Sequence, residues 1–410
     1  MAMTIRRGIG WLLAVATAVY VGFCSFAIAY EKRSPARALA VGMPHSGTAE
    51  ASLAYNAFSA RRAGDPNAVV NPDEVRLAKS AYRQEPLSIP ALGLIADSMP
   101  NGKEGTERQA LFELAGKLNR RNTLVNTELV KAAALRGDDR AFFAWLSRVM
   151  LVGKEAKTTY GAAMAEATAR NGAVEALIPI IGERPGWADY YWGLVVRRPA
   201  SLANAAQLRL AVAGAPWLQQ EIMPTDKTLL LNLVRDGHMD AAYKLAEGLG
   251  LGRSTKANLL YNGDFAISPE LAPFDWQLSS QGNLGASVDP REKILAISAI
   301  GGARGSAARQ LLKLAPGRYD LNWKVAADSA IDPGSLVVRI DCAERGKDGA
   351  ILPPVPVAAG EGKAVAVIPD DACQWYWFSL AVVIPDDVIG LDANVLHLSL
   401  TPSTDASRNM

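Results

Sequence analysis

Trp375 and Trp377 stand two residues apart in a run whose other phase is Tyr376, Phe378, Leu380, Val382 and Ile384. Side chains alternate sides along a strand, so burying the second set sends both indoles to the opposite face. In neighbouring runs the same alternation turns Asp320, Asn322, Lys324, Arg339, Asp341, His397 and Ser399 outward. Indole rings stack on the apolar C–H face of a pyranose, while carboxylates, amides and guanidiniums bond its hydroxyls. This set therefore reads as a glycan-binding face. The competing reading buries the two indoles against a helical domain or under a crossing loop.

Other chemistry finds little support. Histidine occurs only at 45, 238 and 397, each alone, and no Cys/His cluster has zinc-ligand spacing. No HExxH, phosphate loop, dinucleotide fingerprint or Gly-x-Ser-x-Gly elbow is found in its required context. The stretch 301–305, GGARG, lies between strands without a following helix and reads as a turn. Asp370-Asp371 and Asp386-Asp387 each follow Ile-Pro, which is also turn chemistry. With 43 basic and 41 acidic residues the net charge is +2, so the charge footprint of a nucleic-acid binder is missing.

Cys24 lies in an apolar N-terminal run, which leaves Cys342 and Cys373 as the pair available for a disulfide in an exported domain. The loop they would close contributes about 3–4 kcal/mol in the chain-entropy model. Their strand phases disagree, and a bulge or strand end at Asp371-Ala372 would reconcile them.

The elements that position these residues change character along the chain. Residues 9–30 are apolar, with Arg6 and Arg7 before and Lys32 and Arg33 after. As a helix this run spans about 33 Å, enough for a bilayer. A retained anchor is expected, with a cleaved signal peptide as the alternative, since Ala27-Ile28-Ala29 offers a small-x-small site. Residues 1–33 are thus assigned to a cytoplasmic end and anchor, and the body to the periplasmic side of the inner membrane. Residues 34–72, punctuated by Gly and Pro, read as a linker with a helical turn or two at 49–62.

From 73 to 252 the pattern is Ala- and Leu-rich and helical. Gly102, Gly137 and Gly172 recur every 35 residues, and Gly237 follows near two further units. Around the last three, a helix ends at Gly, a short polar turn follows, and a second helix opens with Ala. This resembles tetratricopeptide repeats, with an irregular helical bundle as the competing reading. The resemblance implies stacked helix pairs that bind partner proteins.

Beyond Gly252 short alternating runs with Gly, Pro and Asp turns predict an antiparallel β-sandwich over 257–404. Asn262-Gly263-Asp264-Phe265, followed by Phe274-Asp275-Trp276, resembles the opening of jelly-roll carbohydrate-binding modules of the galactose-binding type. That resemblance implies sugar binding without catalysis, no cofactor, and room for a structural calcium ion near Asp264.

The expected protein is a multidomain α plus β, membrane-anchored, non-enzymatic envelope protein. Its helical repeats would hold envelope or polysaccharide-assembly proteins. Its jelly roll would hold a glycan, in bacterial exopolysaccharide or cell-surface polysaccharide synthesis or export. A structural scaffold of an envelope or secretion assembly without sugar binding is the first alternative, and a polysaccharide-modifying enzyme the second.

Overall fold

A computed structural model describes residues 2–31, 33–40, 46–65, 67–100, 105–252, 258–327, 330–345, 350–370 and 373–403. The chain divides into two compact units, Met1–Met164 and Ala165–Met410. The first is helical, opening with α1 (Ala2–Glu31), α2 (Pro35–Ala40), α3 (Gly47–Gly64) and α4 (Pro72–Gln84). It continues through α5 (Ile89–Asp97), α6 (Gly105–Leu118), α7 (Thr123–Arg136), α8 (Asp139–Met150) and α9 (Lys154–Ala167). Within α1, Gly10–Glu31 is long and apolar enough to cross a membrane.

Residues 34–72, expected as a linker, contain the 18-residue helix α3. Ala51, Ala54 and Phe58 are buried there among Ala78, Ala81, Ala91 and Leu94, because rows of alanine let helix backbones approach closely. Gly47 and Gly64 bound that helix rather than break it, while Gly42, Pro44 and Pro66 lie outside the described residues. Pro72 opens α4, where the Asn71 side chain accepts from Glu74 N and Glu74 accepts from Asn71 N, both at 2.8 Å.

The recurring glycines sit at helix ends. Gly137, Gly172 and Gly237 have φ of +68°, +81° and +84°, a conformation costly for any residue with a Cβ. Asp138 then caps α8 by accepting from Ala141 N at 3.0 Å. Gly102, the fourth of the series, lies outside the described residues.

The second unit begins with α10 (Ala173–Gly182), α11 (Ala188–Val195), α12 (Leu202–Ala213), α13 (Pro224–Arg235) and α14 (Met239–Gly248). Side-chain bonds one unit length apart tie successive pairs here. Ser201 donates to Ala165 O and Asn232 to Val196 O, each across 36 residues. Between α12 and α13, buried Arg209 meets Asp226 at 2.8 and 3.0 Å and donates to Gln219 O and Glu221 O, so the buried charge is satisfied.

The strands are β1 (Gln277–Leu278), β2 (Ser280–Gln281), β3 (Leu284–Asp289), β4 (Ile294–Ile300), β5 (Arg304–Lys313) and β6 (Gly317–Ala327). They continue with β7 (Leu336–Cys342), β8 (Val355–Pro356), β9 (Gly360–Ile368), β10 (Trp375–Val383) and β11 (Gly390–Pro402). A five-stranded sheet in the order β1-β5-β10-β7-β8 faces a six-stranded sheet in the order β2-β3-β4-β11-β6-β9. All their pairings are antiparallel. The core between them includes Phe265, Trp276, Leu321, Trp323, Tyr376, Phe378 and Leu398. The opening stretch runs along the last strand, with Leu259 N donating to Leu400 O and Leu398 N to Gly263 O at 2.8 Å.

The change from helix to strand falls between α14 and β1, whereas the division into compact units falls at Met164. Helices α10–α14 therefore belong with the sandwich rather than with the helices before them.

Candidate functional site

The outward residues sort onto two different faces. Asp320, Asn322 and Lys324 lie on β6 and His397 on β11, all on the outer side of the six-stranded sheet. Arg339 and Asp341 lie on β7, and Trp375 and Trp377 on β10, in the five-stranded sheet. The eight residues thus do not form one site, because the sandwich core separates the sheets. Ser399 pairs with Asn322 and stays with the first group.

The six-stranded group forms a mixed polar surface. Lys324 is paired with Glu361 at 3.0 Å, and His397 stands opposite Lys324. A bulge between Val395 and His397 resets the phase, so Val395 and Leu398 are both buried while Leu396 between them is only half-buried.

Trp375 follows the reading that buries it against a helical element, not the one that exposes both indoles. It is 2% exposed, its ring 5.6 Å from Tyr243 of α14 and 5.8 Å from Phe274. Strand alternation does turn it away from the sandwich core, but α14 covers that part of the sheet. Lys313 lies 5.3 Å from its ring and reaches Asp240 of α14 at 2.9 Å. Trp375 is thereby a packing residue.

Trp377, two positions on, borders an open groove of about 890 Å³ whose wall includes Arg304, Arg309, Arg339, Asp341 and Ser379. The strand register builds it. Trp377 stands between Leu311 and Asp341, and Ser379 stands between Arg309 and Arg339. Gln277 stands opposite Arg309 on the far side, completing a row of hydrogen-bonding side chains across four strands. The Arg309 guanidinium lies 4.2 Å from the Trp377 ring centroid, and its Nε donates to Gln277 Oε1 at 2.8 Å. Partial burial pushes the Arg309 pKa down. Arg339 Nη2 meets Asp341 Oδ1 at 3.2 Å.

Arg304, Arg309 and Ser379 were not among the expected site residues. In β5 the register slips opposite Leu380 and Ala381, so Ala307 and Ala308 are both buried and the alternation breaks. That bulge hides the outward phase of Arg309. Within 301–305, Gly301-Gly302 makes the expected turn, but Arg304 already belongs to β5.

The Asn262–Phe265 and Phe274–Trp276 segments act as a clamp. Asn262 O accepts from Trp276 Nε1 at 3.0 Å, and its side chain bonds Ile267 N and O. Gly263 has no room for a Cβ, which would meet Leu398 O at 2.2 Å. Buried Asp275 accepts from Trp276 N at 2.7 Å and Glu270 N at 3.2 Å. Burial nevertheless pushes its carboxyl up to about 6 against those bonds. Asp264 is exposed and, among the described residues, joins no group of three or more acidic, His or Cys side chains able to share an ion.

Cys342 and Cys373 form a disulfide with their Cα atoms 6.0 Å apart. Cys373 precedes β10, so strand phase does not govern it, and Asp371-Ala372 lie outside the described residues. Tyr376 fixes the loop, its hydroxyl donating to Cys373 O at 2.7 Å and accepting from Cys373 N at 3.0 Å. Glu344, close to both sulfurs, accepts from Gln374 N.

In the first unit another groove, of about 940 Å³, is lined by Arg62, Asp97, Arg108 and Glu128. Arg108 bonds both carboxylates, at 2.9 and 3.0 Å, and Arg62 reaches Glu128 at 2.8 Å. Burial and Glu128 push the Asp97 pKa up, whereas bonds from Lys131, Arg62 and Arg108 outweigh burial and hold Glu128 down. Lys131 and Arg136 also line it, and both carboxylates are held by the surrounding cations.

No family model matches the chain, and no curated protein matches it. Among solved structures, one described as "CBM4 structure and function" is 17% identical over 35% of this chain and 99% of its own, with a TM-score of 0.28. A second, TmCBM61 in complex with beta-1,4-galactotriose, is 13% identical over 36% of this chain and 99% of its own, with a TM-score of 0.24.

Proposed function

We propose that the chain is a membrane-anchored, non-enzymatic envelope protein whose β-sandwich binds a glycan in the groove of the five-stranded sheet. The observation that carries this reading is the groove itself. A half-buried indole there adjoins the row Gln277, Arg309, Ser379 and Arg339, in which the guanidiniums border the open groove and Gln277 and the buried Ser379 flank them. Such a mixture of one ring and several hydrogen-bonding groups suits a sugar chain better than an apolar ligand. Among the described residues, the outward side of the six-stranded face offers polar groups and the His397 imidazole but no indole.

In this reading the helices are tetratricopeptide-like and hold partner proteins of an exopolysaccharide or cell-surface polysaccharide assembly. The unit-length bonds from Ser201 and Asn232 support a repeating stack. The apolar helix would anchor the protein in the inner membrane with its body in the periplasm. A scaffold without sugar binding is the second reading, favoured by Trp375, whose indole packs under α14.

Affinity electrophoresis of the full-length protein through gels containing the host's surface polysaccharide tests the first reading. Retardation lost in Trp377→Ala and kept in His397→Ala is the expected result. Unretarded wild type would leave the scaffold reading.

A further inference from the structure

The geometry points to an acidic polysaccharide, one carrying carboxylates along its chain, as the ligand class of the five-stranded groove. This rests on the glycan reading above. Among the described residues, three guanidiniums line the groove, from Arg304, Arg309 and Arg339, against one carboxylate, that of Asp341. Asp341 is already held by Arg339. Arg304 is exposed with no side-chain partner among the described residues, and Arg309 commits only its Nε, to Gln277. The terminal nitrogens of Arg309 are therefore open to a ligand.

Arg309 is also held in place. Its guanidinium stacks on Trp377 at 4.2 Å, and Gln277 fixes the other end of the fork. A sugar approaching Trp377 thus meets a guanidinium on the indole rather than a bare ring. A neutral pyranose would have to displace that cation to stack, whereas a carboxylate can take two parallel N–H bonds from it. Partial burial strengthens this, because a charge short of solvent gains more from an opposite charge. Ser379, buried and opposite both Arg309 and Arg339, separates the two guanidiniums along the row.

Arg304 and Arg309 lie five residues apart along one strand, no more than about 17 Å at ordinary strand rise. They suit two separated acidic residues of one extended chain better than one small anion. The whole chain carries a net charge of only +2, so this local excess does not follow from a basic composition.

The test is affinity electrophoresis of the full-length protein in detergent, through gels containing alginate, polygalacturonate or hyaluronate. Each polysaccharide is run beside its carboxyl-reduced form, with poly-L-glutamate as an acidic chain without sugar. Retardation is expected by at least one acidic polysaccharide, and by neither its reduced form nor polyglutamate. Arg304→Gln and Arg309→Gln should each weaken it about tenfold, and exposed Lys363→Gln on the opposite face should not. Arg304 is exposed and has no side-chain partner among the described residues, so its variant reads binding rather than folding. Equal retardation by an acidic polysaccharide and its reduced form would overturn the acidic assignment and leave the glycan reading standing. Equal retardation by polyglutamate would overturn both in favour of an acidic polypeptide, and no retardation in any gel would overturn both.

Discussion

Trp375 and Trp377 differ by one step of the same strand phase and yet have opposite roles. Trp375→Ala removes a buried ring from the cluster with Tyr243 and Phe274, so a loss of about 3–5 kcal/mol is expected in denaturant unfolding of the second unit. Trp377→Ala, at a half-buried position, should cost far less stability while removing the ring on which Arg309 rests. Asp275 adds a pH signature. Its carboxyl is raised from 3.8 to about 6 in the folded state, so folding favours the protonated form. Its full stabilising effect is present below about pH 3.8 and is lost as pH rises through about 6, an effect of about 3 kcal/mol. Asp275→Asn cannot ionise, so the stability difference between it and wild type should shift by that order between pH 4 and pH 7. Parallel pH profiles of the two proteins would contradict the assignment.

Individual strands were legible because a period of two survives in the sequence. Tyr319, Leu321, Trp323 and Val325 are buried, as are Leu336, Val338, Ile340 and Cys342. Which strands share a sheet was not legible, because pairing joins residues far apart in the chain; β6 with β11 is one case. The expected site was therefore scattered over two faces. Bulges in β5 and β11 hid two further phases, and burial of Trp375 depends on α14, more than 100 residues earlier. The Asn262–Phe265 motif was legible as a motif, but its side chains mainly hold the first stretch to β11 and to Trp276. An element-scale consequence concerns truncation. A fragment of 165–403 should unfold cooperatively as a mixed α and β protein by circular dichroism. A fragment of 257–404 leaves Trp375 and Phe274 without Tyr243 and should be markedly less stable. Equal midpoints would show that α14 contributes nothing to the sandwich.

The whole molecule combines an apolar N-terminal helix, a helical unit, and a second unit in which helices precede a two-sheet sandwich. Near-zero net charge leaves recognition to local arrangement, and the guanidiniums of Arg304 and Arg309, without a carboxylate partner among the described residues, are such an arrangement. Export predicts that a phosphatase fused after Met410 is active outside the cytoplasm. Activity only of a cytoplasmic reporter at that position would remove the compartment in which the glycan is expected. The central claim, that the five-stranded groove is where a glycan binds, is tested most directly by hydroxyl-radical footprinting of the full-length protein with and without its polysaccharide. Trp377 on one face and His397 on the other serve as paired reporters in the same sample. Protection of Trp377 with His397 unchanged is the expected result; protection of His397 with Trp377 unchanged would contradict it.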